Sequence, residues 1–147
     1  MYTKINEKDS IMKLGAIYSK EKTTFTLFSP VADSVFVIFY DKGNDSTETG
    51  RLEMMRGEGE LRSIFSATAE GNLDGVYYTY EVHTSDGTFS SHDPYARACG
   101  VNGHRSMVID LSKTDPDGFA DEDRPKLADP MSMVITEVSV ADVSAGA

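Results

Sequence analysis

Short runs of apolar and polar residues alternate along this chain, and turn signals separate the runs. Residues 34–40 (SVFVIFY) are apolar on both faces, which predicts a central strand covered on both sides. Residues 76–83 are aromatic or β-branched at most positions, and the turn signal Asp86-Gly87 follows them. Apolar residues do not recur with the period of a helix over any useful length. The pattern therefore predicts strands joined by turns.

The number and spacing of these runs predict an all-β fold. Further strands are predicted at residues 14–18, 23–29, 51–55, 61–68 and 107–109. About seven to eight short strands, with turn signals roughly every 8–12 residues, are typical of an immunoglobulin-like β-sandwich.

We expect four segments along the chain. Residues 1–13 lack a sustained pattern and predict a flexible lead-in, and residues 14–112 form the sandwich. Residues 113–131 are rich in proline and aspartate, which is typical of a linker. Residues 132–147 return to strand character after the linker, so they predict the first element of a further domain.

Charge and cysteine content exclude several classes of partner. The formal net charge is -10, so an anionic membrane or a nucleic acid would be repelled, and we expect neither as a partner. Cys99 is the single cysteine, which excludes an internal disulfide. Because no apolar run has the length of a signal peptide or a membrane span, we expect a cytoplasmic chain, with a secreted parent protein as the alternative.

No motif in the sequence identifies catalytic residues. A glycosidase needs two carboxyl groups about 5–10 Å apart, and no pair of acidic residues is marked by its spacing. The histidines His83, His92 and His104 lack the spacing of metal ligands. We therefore predict no catalytic residue, no metal site and no cofactor.

Sugar binding has better candidates. Sugars pack on aromatic faces and form hydrogen bonds with amides, so Tyr77 or Tyr95 with Asn102 could form such a surface. Side chains alternate along a strand, so Tyr78 and Tyr80 share one face while Tyr77 points the other way. The alternative is that the tyrosines fill the core and form hydrogen bonds inside it.

The loop at residues 91–105 is a second candidate for a functional surface. A long irregular loop within a compact domain is usually functional or part of an interface. We predict that Asp93, Tyr95, Arg97 and Asn102 contact another domain there.

Several motifs of the chain, in this order, resemble one known family. They are Phe25-Thr26-Leu27-Phe28-Ser29-Pro30-Val31-Ala32, Gly71-Asn72-Leu73-Asp74-Gly75-Val76-Tyr77-Tyr78-Thr79-Tyr80, Asp93-Pro94-Tyr95-Ala96-Arg97-Ala98, Gly100-Val101-Asn102-Gly103 and Ser106-Met107-Val108-Ile109-Asp110-Leu111. The set is similar to the N-terminal module of type I pullulanases, which belongs to carbohydrate-binding module family 48.

The resemblance implies an accessory role without catalysis. In that family, the segment after the linker begins the catalytic (β/α)8 barrel of glycoside hydrolase family 13, and residues 134–144 match that segment. The catalytic acids lie on later barrel strands. The implied partners are α-glucan and the barrel of a parent enzyme that cleaves α-1,6 linkages, and the module would orient that barrel.

Departures from the family pattern predict weak glucan binding. The chain has no tryptophan, and Phe28, Leu61 and Phe119 stand where the family often carries that residue. Thr79 falls about where glucan-binding relatives carry a lysine. An aromatic anchor contributes on the order of 2 kcal/mol or more, so its loss predicts millimolar binding at best.

The same departures leave a second function open, and they raise the question of how residues 133–140 are held. The function would be a stand-alone immunoglobulin-like interaction module without a sugar ligand. Residues 133–140 are predicted as a single trailing strand. An unpaired strand tends to pair with another chain, so these residues are expected either to lack fixed structure or to form a homodimer.

Overall fold

The computed structural model describes residues 13–123 and 126–145. The lead-in predicted over 1–13 lies outside the described residues, apart from Lys13. The described residues divide into two units, the first ending at Thr114 and the second beginning at Asp115.

The described residues of the first unit form nine strands. They are β1 Gly15–Tyr18, β2 Lys22–Phe28, β3 Ser34–Tyr40, β4 Glu48–Arg56, β5 Ile64–Glu70, β6 Tyr77–Thr84, β7 Gly87–Ser91, β8 Ala98–Cys99 and β9 Ser106–Met107. The count exceeds the predicted seven to eight because the two-residue strand β8 forms inside the loop at 91–105. Such a short strand has no periodic signal in the sequence.

The strands pair antiparallel and curl around one core. Their order is β1-β2-β5-β4-β3-β6-β9-β8, with β7 also paired to β6. β4 pairs with β3 along most of its length, and its last residues Met55 and Arg56 pair with β5. One strand therefore connects two sheets, and the predicted all-β, immunoglobulin-like sandwich is confirmed.

The core lies between the two sheets. β3 contributes Val35 and Val37, and β6 contributes Tyr78 and Tyr80, all of them buried. The ring of Phe25 from β2 meets the ring of Tyr78 edge to face, with centroids 5.0 Å apart. The prediction that Tyr78 and Tyr80 share a face is confirmed, and that face is the core.

Two strand boundaries differ from the prediction. β4 begins at Glu48, earlier than the predicted residue 51, and β5 begins at Ile64, later than the predicted residue 61. Gly59–Leu61 forms a 3-10 helix instead of the start of a strand. Three consecutive residues of a tight turn therefore replace strand residues there.

The second unit contains only short elements among its described residues. These are 3-10 helices at Phe119–Asp121 and Pro130–Ser132 and helix α1 at Val140–Ser144. The strand predicted over 133–140 is wrong: residues 133–139 carry no regular structure. A strand needs a neighbouring strand for its backbone groups, and the described part of this unit offers none. No helix in the described ranges is long and apolar enough to cross a membrane.

Candidate functional site

A buried carboxylate holds the start of the long loop in place. Asp93 is 2% exposed, and one of its oxygens accepts hydrogen bonds from the hydroxyl groups of Tyr78 at 2.7 Å and Tyr80 at 3.2 Å. The other oxygen accepts from the backbone N–H of Tyr95 at 2.8 Å. The backbone N–H of Asp93 donates to Ser106 Oγ at 2.8 Å. The loop is therefore tied to both β6 and β9.

The two tyrosine hydroxyls act as donors because they stay protonated. Burial raises the pKa of Tyr78 and of Tyr80 well above the ordinary value, and the negative charge of Asp93 raises both further. Asp93 was predicted to contact another domain. That contact stays a prediction, and within this unit the buried carboxylate positions Tyr95 and the loop that follows.

Two glycines allow the far end of the loop to approach the β3–β4 connection. A Cβ added to Gly100 would lie 2.6 Å from Gly43 Cα and 2.8 Å from the Gly43 carbonyl oxygen. A Cβ added to Gly43 would lie 2.9 Å from Gly100 Cα. Only glycine permits this backbone contact, and the contact brings residues 41–46 next to residues 100–105.

We expect Gly100→Ala to destabilise the chain by about 1–3 kcal/mol, because the added methyl group meets backbone atoms that cannot rotate away. Urea unfolding followed by circular dichroism measures the loss. Cys99→Ala is the matched control, because Cys99 is exposed and its truncation should change the free energy of unfolding by less than about 0.5 kcal/mol. Equal stability of the two variants would contradict the close approach.

An open cleft of about 430 Å³ lies where these two loops meet the outer face of the sheet. We name it the Tyr40–Arg105 cleft. Its walls are Tyr40 of β3, Thr79 of β6, Ser90 of β7 and the loop residues Asn44, Asp45, Val101, Asn102, His104 and Arg105.

An arginine stacked on an aromatic ring dominates this cleft. The guanidinium carbon of Arg105 lies 3.6 Å from the centroid of the Tyr40 ring. The guanidinium donates to the Lys42 carbonyl at 2.7 Å and to the Oγ and carbonyl oxygen of Ser46, both at 2.8 Å. The Tyr40 hydroxyl lies 3.3 Å from Thr79 Oγ1. Both partners of the stack are therefore held from several sides.

Apart from Val101, the remaining groups of the cleft are polar and form hydrogen bonds readily. Asn102 has a positive φ of 53° and Asp45 one of 48°, a backbone region that Asn and Asp adopt more often than other residues. Asn44 Nδ2 donates to Asp45 Oδ2 at 3.0 Å. Such a set of amide, hydroxyl and carboxylate groups beside an aromatic ring suits a neutral ligand with many hydroxyl groups.

The predicted site residues fall into two places. Asn102 lines the Tyr40–Arg105 cleft, and Tyr77 is half-buried next to it, paired with Tyr40 across the β3–β6 ladder. Tyr95 is 47% exposed and packs close to Gly15 at the start of β1. The structure therefore brings Tyr77 and Asn102 together near one cleft and places Tyr95 beside β1.

Arg97 lines a second, smaller cleft of about 280 Å³ along β1. Tyr18 and Asp110 line it too. Hydrogen bonds from Ser112 lower the pKa of Asp110, and a hydrogen bond from Lys113 lowers the pKa of the neighbouring Asp74. This cleft thus combines the exposed guanidinium of Arg97 with one carboxylate, Asp110, that already accepts hydrogen bonds from Ser112.

Tyr40 and Arg105 are not among the site residues predicted from the sequence. Tyr40 appeared only as the last residue of an apolar strand, and Arg105 as a charged residue in a loop. Their contact depends on the approach of two loops that are distant in the chain, for which the sequence carries no local signal. Within residues 13–123 and 126–145, no group of three or more His, Cys, Asp or Glu side chains could hold a metal ion.

Comparisons with known proteins place these features in a family. Residues 13–96 match the family model described as carbohydrate-binding module 48 (isoamylase N-terminal domain). Pullulanase A of Streptococcus pneumoniae is 31% identical over 116 residues, which cover 74% of this chain and 9% of that protein.

Solved structures give the same result. The pullulanase from Bacillus acidopullulyticus matches 80% of this chain with a TM-score of 0.73 and 35% identity, over 14% of its own chain. The pullulanase from Paenibacillus barengoltzii in complex with maltohexaose and α-cyclodextrin matches 83% with a TM-score of 0.75 and 34% identity, over 18% of its own chain. The present chain thus spans less than a fifth of the length of each of these relatives. With the family model matched over more than half of its residues and the β-sandwich shared with pullulanases, the chain belongs to carbohydrate-binding module family 48.

Proposed function

We propose that this module is a non-catalytic accessory domain of a pullulanase-like α-glucan debranching enzyme. In this proposal the module orients the catalytic barrel and binds α-glucan weakly in the Tyr40–Arg105 cleft. Residues 132–147 would be the beginning of that barrel. The observation that carries the sugar-binding part is the cleft itself, which places the exposed side chains of Asn102 and Ser90 near the ring of Tyr40.

The chemistry of the cleft supports a weak rather than a tight glucan complex. Hydroxyl and amide groups can replace the water bound to sugar hydroxyls, but each such exchange contributes only about 0.5–1.5 kcal/mol. Tight sugar binding needs an aromatic face, and the ring of Tyr40 has a guanidinium 3.6 Å from its centroid. A related pullulanase was solved with maltohexaose and α-cyclodextrin, which supports α-glucan as the ligand class.

The interdomain part of the proposal rests on the other end of the loop. Tyr95 and Arg97 are exposed, and Asp93 holds the backbone of the segment that carries them. Aromatic and arginine side chains are enriched in interfaces. An aromatic ring buries a large area and has few rotatable bonds, and an arginine offers several hydrogen-bond donors. A direct role of Tyr95 and Arg97 in contacting the barrel stays a prediction, as does a homodimer through residues 133–140.

A titration of the full chain with maltohexaose, with pullulan and with cellohexaose tests the sugar-binding part. We expect saturable, millimolar shifts of the backbone amides of residues 40–46, 79 and 101–105 with the two α-linked glucans. The β-linked cellohexaose is the matched control and should leave these amides unchanged. Equal shifts with all three sugars, or none at tens of millimolar sugar, would contradict specific α-glucan binding.

The second candidate function is a stand-alone interaction module without a sugar ligand. The stacking of Arg105 on Tyr40 favours it, since the ring is not free for a sugar. The reading frame distinguishes the two functions. A barrel sequence directly downstream of residue 147 would support the accessory role, and a stop codon there would support the stand-alone module.

A further inference from the structure

The stack of Arg105 on Tyr40 covers the one tyrosine ring among the residues that line the cleft, whose other ring is the imidazole of His104. A distance of 3.6 Å between the guanidinium carbon and the ring centroid is van der Waals contact, so no second planar group can enter between them. A sugar ring that stacks on an aromatic face needs that same distance. The guanidinium and a sugar therefore compete for the same face of Tyr40.

Hydrogen bonds keep the guanidinium in this place. Its two terminal nitrogens are committed to the Lys42 carbonyl and to two oxygens of Ser46 at 2.7–2.8 Å. These distances are typical of charged donors, whose hydrogen bonds are about twice as strong as neutral ones. Thermal motion of an unattached side chain would uncover the ring often, whereas an arginine with three such bonds stays on it.

The ring does not depend on Arg105 for its own position. Tyr40 is the last residue of β3, paired with Tyr77 of β6, and its hydroxyl lies 3.3 Å from Thr79 Oγ1. Lys42 is exposed and Ser46 is half-buried, so water can replace the hydrogen bonds of a missing guanidinium. Removal of the arginine should therefore leave a folded module with an uncovered tyrosine.

We propose that Arg105 is the residue that determines glucan affinity in this cleft, because it caps Tyr40 and restricts a sugar to hydrogen bonds with exposed groups such as Asn102 and Ser90. This inference rests on the proposed α-glucan binding in the same cleft. It assigns to one side chain the weak affinity expected for the module. Replacing Arg105 alone would expose the ring of Tyr40 as an aromatic face on which a sugar can stack.

Four variants of the full chain test the cap: Arg105→Ala, Arg105→Gln, Tyr40→Ala and the double variant Tyr40→Ala/Arg105→Ala. Arg105→Gln can still donate to the Ser46 carbonyl but carries no charge to stack, so it tests capping with less disturbance of the loop. We expect both single arginine variants to bind maltohexaose about thirtyfold more tightly than the parent chain, the gain from one exposed aromatic anchor. The double variant should lose this gain.

Calorimetry or amide shifts provide the dissociation constants, and thermal unfolding shows which variants are folded. If the parent chain binds and neither arginine variant binds more tightly, the cap is overturned while the proposed function stands. If only the arginine variants bind, the cap is supported and glucan binding by the parent chain is overturned. If no variant binds, both are overturned. A gain that persists in the double variant would also overturn the cap, because the gain would not come from Tyr40.

Discussion

Replacement of Asp93 by alanine is expected to lower the free energy of unfolding by about 3 kcal/mol or more, which is a large part of the stability of a domain of this size. The substitution leaves the buried hydroxyl groups of Tyr78 and Tyr80 without an acceptor, and each unsatisfied buried donor costs about 1–3 kcal/mol. It also removes the acceptor for the backbone N–H of Tyr95. Urea unfolding followed by circular dichroism measures the change.

Two variants separate the lost hydrogen bonds from the lost volume. Asp93→Asn keeps the shape of the side chain and offers one acceptor oxygen, so we expect a smaller loss than for Asp93→Ala. In the triple variant Tyr78→Phe/Tyr80→Phe/Asp93→Ala no tyrosine hydroxyl is left unsatisfied, and its stability should be higher than the sum of the single losses predicts. Strict additivity of the three losses would show that the carboxylate does not act through the two hydroxyls.

Regular strands of this fold were predictable because their signal is local. The alternation in β6 assigns Tyr78 and Tyr80 to one face, and the structure buries both in the core. A side-chain period of two survives whatever the strand is packed against, provided that one face is buried. The same reasoning also placed Tyr77 on the opposite face.

The strand predicted at 133–140 shows the limit of a local signal. Five of its eight residues are β-branched, and Val134 and Ile135 are 92% and 80% exposed. Strand propensity reflects packing and pairing with neighbours more than an intrinsic preference of the backbone. The described part of its unit has no neighbouring strand, so the segment lacks the strand pairing and side-chain packing that a β-strand requires.

The candidate site was less predictable than the fold because it is assembled from distant loops. The motif Asp93-Pro94-Tyr95 was predictable as part of a long loop, and core hydrogen bonds of Tyr78 and Tyr80 were one of the alternatives, but the sequence did not indicate that Asp93 is their acceptor. Tyr40 and Arg105 meet because two glycines let their loops touch. Hydrophobic periodicity carries no information on such a contact.

The same buried tyrosines predict a steep loss of stability in alkaline solution. Burial raises the pKa of Tyr78 and Tyr80 above the ordinary value of 10.0, and the charge of Asp93 adds to the effect. Below pH 10 both folded and unfolded chains keep these protons, so the two groups add no pH dependence. Above pH 10 the unfolded chain releases them while the folded chain holds them, so the unfolded state gains stability as the pH rises.

We therefore expect the free energy of unfolding to fall above pH 10 by about 1.4 kcal/mol per pH unit for each of the two tyrosines. Urea unfolding at a series of pH values around and above 10 measures the slope. Tyr80→Phe should remove about half of the contribution of the pair, and Tyr78→Phe/Tyr80→Phe should remove all of it. Val37→Ala is the matched control, since it destabilises the same core without removing a titratable group and should keep the slope of the parent chain. A slope that persists in the double tyrosine variant would show that other groups cause the alkaline loss and that the two hydroxyls are not held protonated by the core.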